Sequence, residues 1–133
     1  MQMQFERSFD EIARIVQETE RFFEQENIDS SLRTAVDLCI EELFVNMVNY
    51  NTESNHEISV SMTKIPRGIE VCLTDHDVER FDPTEARDVD IEAPLSERTP
   101  GGLGVYLVLK MVDSIHYQYQ DRQSKITFQI KEG

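Results

Sequence analysis

Cysteine is scarce in this sequence, and any segment that would direct the chain to a membrane is missing. The two cysteines, Cys39 and Cys72, are too few for a disulfide framework or a structural zinc site. The N-terminus has no basic segment followed by an apolar run, and no apolar run approaches the roughly 20 residues that span a bilayer. We therefore expect a protein of the reducing cytoplasm that does not bind membranes.

Basic residues are also few. The chain has 13 Lys and Arg residues against 26 Asp and Glu residues, which gives a formal net charge of -13 at pH 7. Such a surface repels nucleic acid backbones and anionic membranes, so we expect no direct nucleic acid partner and favour a partner with a basic surface. The three histidines are scattered and lie at no metal-ligand spacing from a cysteine or carboxylate, which argues against a histidine metal site.

Proline and glycine are few as well, and most of them are concentrated in one part of the chain. Three of the four prolines, with a surplus of acidic residues, fall in residues 76–100, which show no periodicity. Non-periodic segments of this length in compact domains are typically lids, binding segments or disordered tails. Three of the five glycines follow directly, in the sequence Gly101-Gly102-Leu103-Gly104.

The glycine cluster precedes an apolar helix that the sequence predicts over residues 105–112. The composition of this helix, apolar nearly all round, predicts that it is buried. Glycines just before a helix let backbone N–H groups approach phosphate oxygens, and the helix N-terminus adds a partial positive charge. The cluster therefore indicates a phosphate-binding turn, although a tight junction between a loop and a helix has the same composition.

The rest of the sequence is patterned as an ordinary globular domain. With 133 residues, of which 39% are hydrophobic and 29% charged, the chain is expected to form one domain, residues 1–133, around a single core. Alternation predicts strands at residues 3–7, 58–62, 69–73, 115–119 and 126–130, and helical spacing predicts helices at residues 12–25, about 30–50 and 105–112. Asp10 is the predicted cap of the first helix. This order predicts an α+β two-layer sandwich in which three helices cover one face of a mixed, mostly antiparallel sheet.

The central helix has a continuous apolar stripe that includes Cys39, and two polar residues stand beside this stripe. Glu42 and Asn46 are four residues apart, so one helical turn places their side chains on the same face. An amide oxygen is a suitable Mg²⁺ ligand, and a neighbouring carboxylate can orient or deprotonate a hydroxyl. The pair therefore indicates a metal ligand and a general base, although the same spacing is common on solvated helix faces.

Asp75 lies at the end of the third predicted strand, on the same face as Val71 and Leu73. A strand that buries this valine and leucine against the helices also directs the carboxylate inward, where it needs a hydrogen-bond donor. An adenine amino group would serve, and so would a backbone N–H group or a buried hydroxyl.

Taken together and in order, these residues resemble the GHKL, or histidine kinase-like, ATPases, whose ATP-binding domain has the Bergerat fold. The resemblance rests on Glu42 with Asn46, the strand-end Asp75, the lid-like segment and the glycine turn that begins at Gly101.

Three segments look more specifically like the anti-sigma factor serine kinases of bacterial partner-switching systems. They are residues 41–46, with the sequence EELFVN, residues 81–86, with the sequence FDPTEA, and residues 101–108, with the sequence GGLGVYLV. The resemblance covers about residues 12–129, which is nearly the whole chain.

The resemblance implies a role for each matching residue. Glu42 would be the general base that activates a serine of a protein substrate, Asn46 the ligand of the Mg²⁺ that bridges the triphosphate, and Asp75 the residue that reads adenine. The residues implied to contact the rest of the nucleotide are Asn49, Phe81, Arg98, Gly101, Gly102, Leu103 and Gly104. Residues 76–100 would form the ATP lid.

One position departs from the pattern of this family. The family has Asp-x-Gly after the strand, with phenylalanine five residues past the aspartate. Here Asp77 replaces the glycine, and one extra residue precedes Phe81. A side chain at this position can crowd the adenine, and its negative charge opposes an anionic nucleotide.

The function that the resemblance implies is that of an anti-sigma regulatory factor. Such a protein binds ATP or ADP with Mg²⁺, phosphorylates a serine of an anti-anti-sigma partner with a STAS domain, and thereby controls the availability of a sigma factor. The resemblance also implies a homodimer. The alternative is a binding module on the same fold that has weakened or lost its nucleotide chemistry and sequesters a partner, and nucleotide binding distinguishes the two.

Overall fold

The computed structural model describes residues 1–50, 54–80 and 102–133. In these residues the elements follow the order that the sequence predicts. The strands are β1 (Gln2–Phe5), β2 (Ile58–Ile65), β3 (Gly68–His76), β4 (Ser114–Gln120) and β5 (Gln123–Lys131). The helices are α1 (Ile12–Glu26), α2 (Arg33–Tyr50) and α3 (Gly102–Met111), and the short 3-10 turns Phe9–Glu11 and Ser30–Leu32 lead into α1 and α2.

The five described strands form one sheet in the order β1-β2-β3-β5-β4. The pairings between these strands are all antiparallel. Strands β3 and β4 run in the same direction, but β5 lies between them, so the sheet is antiparallel where the sequence allowed a mixed one. The predicted α+β architecture is otherwise confirmed.

The core lies between the helices and one face of the sheet, because alternate strand residues point to the same side. Fully or nearly fully buried apolar side chains from α1 and α2 are Ile15, Phe22, Phe23, Val36, Cys39, Ile40, Leu43 and Phe44, and those from the sheet include Val60, Met62, Val71, Leu73, Ile126 and Phe128. Cys39 is a small buried hydrophobe as the sequence predicts, and burial, with the charge of Glu42, raises the pKa of its thiol to about 12.

The start of the chain differs from the prediction in two details. Strand β1 ends at Phe5 and does not continue to residue 7, because the chain turns there: the Ser8 N–H donates to the Glu6 carbonyl at 2.8 Å. Asp10 does not cap α1, whose N-cap residue is Glu11 and makes no side-chain cap hydrogen bond. The Ser8 hydroxyl caps the preceding 3-10 turn instead, by accepting from the Asp10 N–H at 3.1 Å.

Helix α3 begins three residues earlier than predicted, at Gly102, and is not buried all round. Val108 is fully buried, whereas Leu107 is 42% exposed. Among the described elements the helix packs mainly against α2, and its apolar composition does not lead to complete burial. No helix within the described residues is long and apolar enough to cross a membrane.

Candidate active site

Glu42 and Gly104 meet where α2 packs against α3. A Cβ atom added at Gly104 would overlap Glu42 Oε2 and lie 2.6 Å from Glu42 Cδ. Only glycine lets the backbone of α3 come this close to the carboxylate. The contact places the predicted base beside the helix that follows the glycine turn.

The Glu42 carboxyl is partly buried, and this changes its acidity. Burial raises its pKa above the ordinary value, and the neighbouring charge of Glu41 raises it further. Glu41 itself is exposed on the next position of the helix. A carboxylate with a raised pKa holds a proton more readily, which suits a group that accepts one from a hydroxyl.

Asn46 lies one turn after Glu42 and is 4% exposed. Both of its amide atoms, Oδ1 and Nδ2, have no hydrogen-bond partner among the described residues. Because a buried polar group without a partner is costly, such a group in a native fold indicates a missing water, ion or ligand. A neutral amide oxygen suits Mg²⁺, so the residues present fit the metal that the resemblance implies. Asn49 follows on the same side of α2 and is exposed.

Asp75 is fully buried near the end of β3, facing inward as the sequence predicts. Its strand partner in β5 is Ser124. The Arg7 guanidinium forms an ion pair with the Asp75 carboxylate through Nη2 and Oδ1. A second nitrogen of the same guanidinium, Nη1, donates to the Met47 carbonyl at 3.1 Å. The carboxylate assigned to adenine is therefore held by an arginine.

Arg7 is the site residue that the sequence interpretation missed, although a signal for it was present. In the alternating segment 3–7, Met3 and Phe5 are the inward-facing residues, and Arg7 falls on the same face. An arginine at an inward position requires a buried acceptor, and Asp75 was the inward-facing carboxylate. The two residues are 68 positions apart, so the pattern alone did not pair them.

Asp77 occupies a backbone position that explains why the family has glycine there. Its φ is 57°, in the left-handed region that glycine adopts freely and that aspartate tolerates better than most residues. Its carboxylate accepts from Arg122 Nε at 2.9 Å, and this hydrogen bond lowers the pKa of Asp77. Both side chains are 55% exposed. The side chain is therefore engaged with the turn between β4 and β5, and its charge is matched by that of Arg122.

The start of the predicted lid is attached to the same turn. The Val78 N–H donates to the Arg122 carbonyl at 2.9 Å, and the Tyr119 hydroxyl donates to the Val78 carbonyl at 2.7 Å. Of the remaining predicted residues, Gly102, Leu103 and Gly104 form the first turn of α3. Phe81, Arg98, Gly101 and the lid residues 81–100 lie outside the described residues.

A polar groove of about 690 Å³ opens beside the ion pair. It is lined by Glu6, Arg7, Val48 and residues 54–57. Asp75 is not among the lining residues, so in the described part of the chain the groove meets Arg7 and not the carboxylate behind it.

Comparison with known proteins agrees with this fold. The sequence matches the histidine kinase-like ATPase domain family over residues 5–130. The serine/threonine-protein kinase BtrW of Bordetella bronchiseptica is 26% identical over 98 residues, which are 72% of this chain and 68% of that protein. A chain in the crystal structure of the SiaB–SiaC complex from Pseudomonas aeruginosa has a TM-score of 0.67 at 13% identity, over 98% of this chain and 88% of that chain.

The histidine kinase AdeS of Acinetobacter baumannii has a TM-score of 0.54 at 15% identity, over 98% of this chain and 67% of that chain. At these identities the solved structures establish the fold alone. The family match extends over nearly the whole sequence, including Glu42, Asn46, Asp75 and the glycine turn. The chain therefore belongs to the histidine kinase-like ATPase domain family.

Proposed function

We propose that this protein is an anti-sigma regulatory kinase that binds ATP with Mg²⁺ and phosphorylates a serine of an anti-anti-sigma partner of the STAS type. The observation that carries the proposal is the buried amide of Asn46, which has no hydrogen-bond partner in the part of the chain that the structure describes. It lies one helical turn from a partly buried Glu42 that contacts Gly104. This arrangement does not stabilise an apolar core. It leaves two amide atoms of Asn46 without a partner among the described residues, and burial raises the pKa of the Glu42 carboxyl.

In phosphoryl transfer the protein mainly positions groups and neutralises charge. Glu42 would accept the proton of the serine hydroxyl as the oxygen attacks, and its raised pKa favours that step. Asn46 would hold Mg²⁺ through Oδ1. The metal, when bound, supplies the charge that offsets the triphosphate. Gly104 keeps α3 close to Glu42, so that the base and the end of the glycine turn stay together.

The partner assignment has separate support. A relative at 26% identity is named a serine/threonine-protein kinase, and the similar fold of the SiaB–SiaC structure is crystallised as a complex with a second protein. The STAS class and the sigma factor come from the sequence resemblance, whereas the cytoplasmic location comes from the scarce cysteines and the lack of a signal segment. A net charge of -13 favours partners with a basic surface.

A homodimer is the remaining part of the proposal, and the surface that suits it is the face of the sheet that the described helices do not cover. On β3, β4 and β5 this face has mostly uncharged residues that can form hydrogen bonds, beside the charged Glu70, Lys125 and Lys131. The uncharged residues include Cys72, Thr74, His76, His116, Gln118, Gln120, Gln123, Thr127 and Gln129. Two copies of a strongly acidic chain would repel each other least there. Sedimentation equilibrium tests this, and a monomer at all concentrations would contradict it.

The second candidate is a partner-sequestering module on the same fold. One observation favours it: the Arg7 ion pair occupies the carboxylate that is assigned to adenine. Asp77 no longer favours it, because that carboxylate is paired with Arg122.

Calorimetric titration of ADP and ATP, with and without Mg²⁺, decides between the two candidates. We expect the wild type to bind ADP with a micromolar Kd, equivalent to about 8 kcal/mol. Asn46→Ala should bind ATP nearly as weakly with Mg²⁺ as without it, because the variant lacks the amide oxygen. The matched control is Asn46→Asp, which keeps an oxygen ligand and should keep a Mg²⁺-dependent affinity.

Wild-type binding that is absent or only millimolar would favour the sequestering module. An undiminished Mg²⁺ effect in Asn46→Ala would remove Asn46 from the metal site and leave its buried amide to be explained by an ordered water.

A further inference from the structure

Arg7 joins three parts of the molecule, two of which carry residues assigned to the nucleotide or its metal. Its backbone lies in the turn after β1, where the Glu6 N–H donates to Glu11 Oε2 at 2.9 Å. Its guanidinium reaches the Met47 carbonyl, next to the metal candidate Asn46, and the carboxylate of Asp75. The side chain thus lies between the position assigned to the metal and the position assigned to adenine.

The arginine is not fully satisfied in this position. Its side chain is 11% exposed, burial lowers its pKa, and its Nε has no hydrogen-bond partner among the residues described. A buried guanidinium is stable when all its donors are matched, and here one is not. The unmatched donor and the lost hydration therefore destabilise this position of Arg7, which makes the guanidinium easier for a competing ligand to displace.

Acidic residues also line the groove beside Arg7. Glu6 and Glu57 are among its lining residues, and both are exposed. Rotation of a long, flexible side chain toward the groove would exchange a buried carboxylate for solvated ones. Arg7 therefore pairs with one buried acidic residue, Asp75, and lines a groove that two exposed acidic residues also line.

We propose that Arg7 blocks the adenine site, and we call this contact the lock. In the nucleotide-free protein Arg7 pairs with Asp75, and adenine reaches that carboxylate only when the Arg7 side chain moves into the groove. The inference rests on the proposed function, since it takes Asp75 as the residue that reads the adenine amino group. It assigns to Arg7 a role in setting nucleotide affinity, because each binding event must break the ion pair first.

If Arg7 blocks the adenine site, removing its charge should strengthen ADP binding, whereas attraction between a cation and an anionic nucleotide would predict weaker binding. Arg7→Met keeps most of the apolar stem and removes the charge. If Arg7 only attracted the phosphates, ADP binding would weaken; if it competes for Asp75, ADP should bind about 10-fold more tightly or better, a gain of ~1.4 kcal/mol. Calorimetry with ADP and Mg²⁺ measures this. Inorganic tripolyphosphate, which has no adenine, should bind both proteins equally in the presence of Mg²⁺.

Two controls accompany the experiment. Arg14→Met removes the same charge from an exposed arginine that pairs with Glu11, and it should leave ADP affinity unchanged. In an Asp75→Asn background, Arg7→Met should give no further gain, because the partner of the lock is gone. If loss of the ion pair keeps Arg7→Met from folding, Arg7→Gln serves in its place, since glutamine also removes the charge but keeps an amide N–H that can donate to the Met47 carbonyl.

The outcomes separate this inference from the proposed function. Tighter ADP binding with unchanged tripolyphosphate binding supports the lock. Equal or weaker ADP binding in a folded Arg7 variant overturns it and makes Arg7 a residue that orients Asp75, while the nucleotide function stands. If neither the wild type nor the Arg7 variants bind ADP, both the lock and the kinase proposal fall.

Discussion

Replacing Glu42 by glutamine should lower phosphoryl transfer to the partner serine by about 10²-fold or more, as the loss of a general base commonly does. Glutamine has nearly the same size as glutamate, so the packing against Gly104 is kept and only the proton acceptor is lost. ADP binding should be largely intact, because Glu42 is not assigned to the nucleotide. The assay is single-turnover phosphorylation of a STAS-domain protein, with calorimetry of ADP beside it.

The pH dependence of the wild-type reaction follows from the raised pKa of Glu42. The base must be ionised to accept a proton, so the rate should rise with pH through this pKa, which lies above the ordinary glutamate value of about 4.3. Glu42→Gln should lack this rise. Folding stability provides an independent test. A carboxyl whose pKa is raised in the folded state lowers the free energy of unfolding once it ionises, so Glu42→Gln should unfold at a higher temperature than the wild type at neutral pH.

The matched control is Glu41→Gln, one residue away and exposed. It removes the same charge but not the base, so phosphoryl transfer should persist. Because the Glu41 charge contributes to the raised pKa of Glu42, the pH profile should move toward lower pH in this variant. Full activity of Glu42→Gln on the correct partner would remove Glu42 from the role of base.

The sequence predicted the order of the elements because local patterns determine them. Alternation and helical spacing are properties of neighbouring residues, and the hairpin of β4 and β5 is closed by Asp121 and Arg122, both at positive φ. The order in which the strands pair was harder to predict, because β5, the last strand in the chain, lies between β3 and β4. No local pattern encodes which strand inserts between two others.

The candidate site was predictable residue by residue but not as a set of contacts. Helical spacing alone places Glu42 and Asn46 on one face, and strand alternation alone turns Asp75 inward. The ion pair of Arg7 with Asp75 depends on tertiary packing between residues far apart in the sequence, and so does the contact of Gly104 with Glu42. The proposed lock depends on the first of these long-range contacts, and the proposed position of the general base depends on the second.

Gly104→Ala is expected to separate stability from activity. The added methyl group would overlap the end of the Glu42 side chain. A glutamate can rotate away at little cost, and alanine is favoured over glycine within a helix by about 1 kcal/mol, so the melting temperature should be unchanged or higher. Phosphoryl transfer should nevertheless fall by about 10²-fold, because the displaced carboxylate no longer reaches the serine hydroxyl.

A double variant tests whether Gly104→Ala lowers phosphoryl transfer by displacing the Glu42 carboxylate. In Glu42→Ala the carboxylate is absent and the added methyl group has space, so Gly104→Ala should cause no further decrease in that background. The two effects would add if Gly104 acted only on the phosphates, and ADP affinity would then fall as well. Wild-type rates in Gly104→Ala would contradict the assignment, because they would mean that the close approach of α3 to Glu42 is not needed for the base to act.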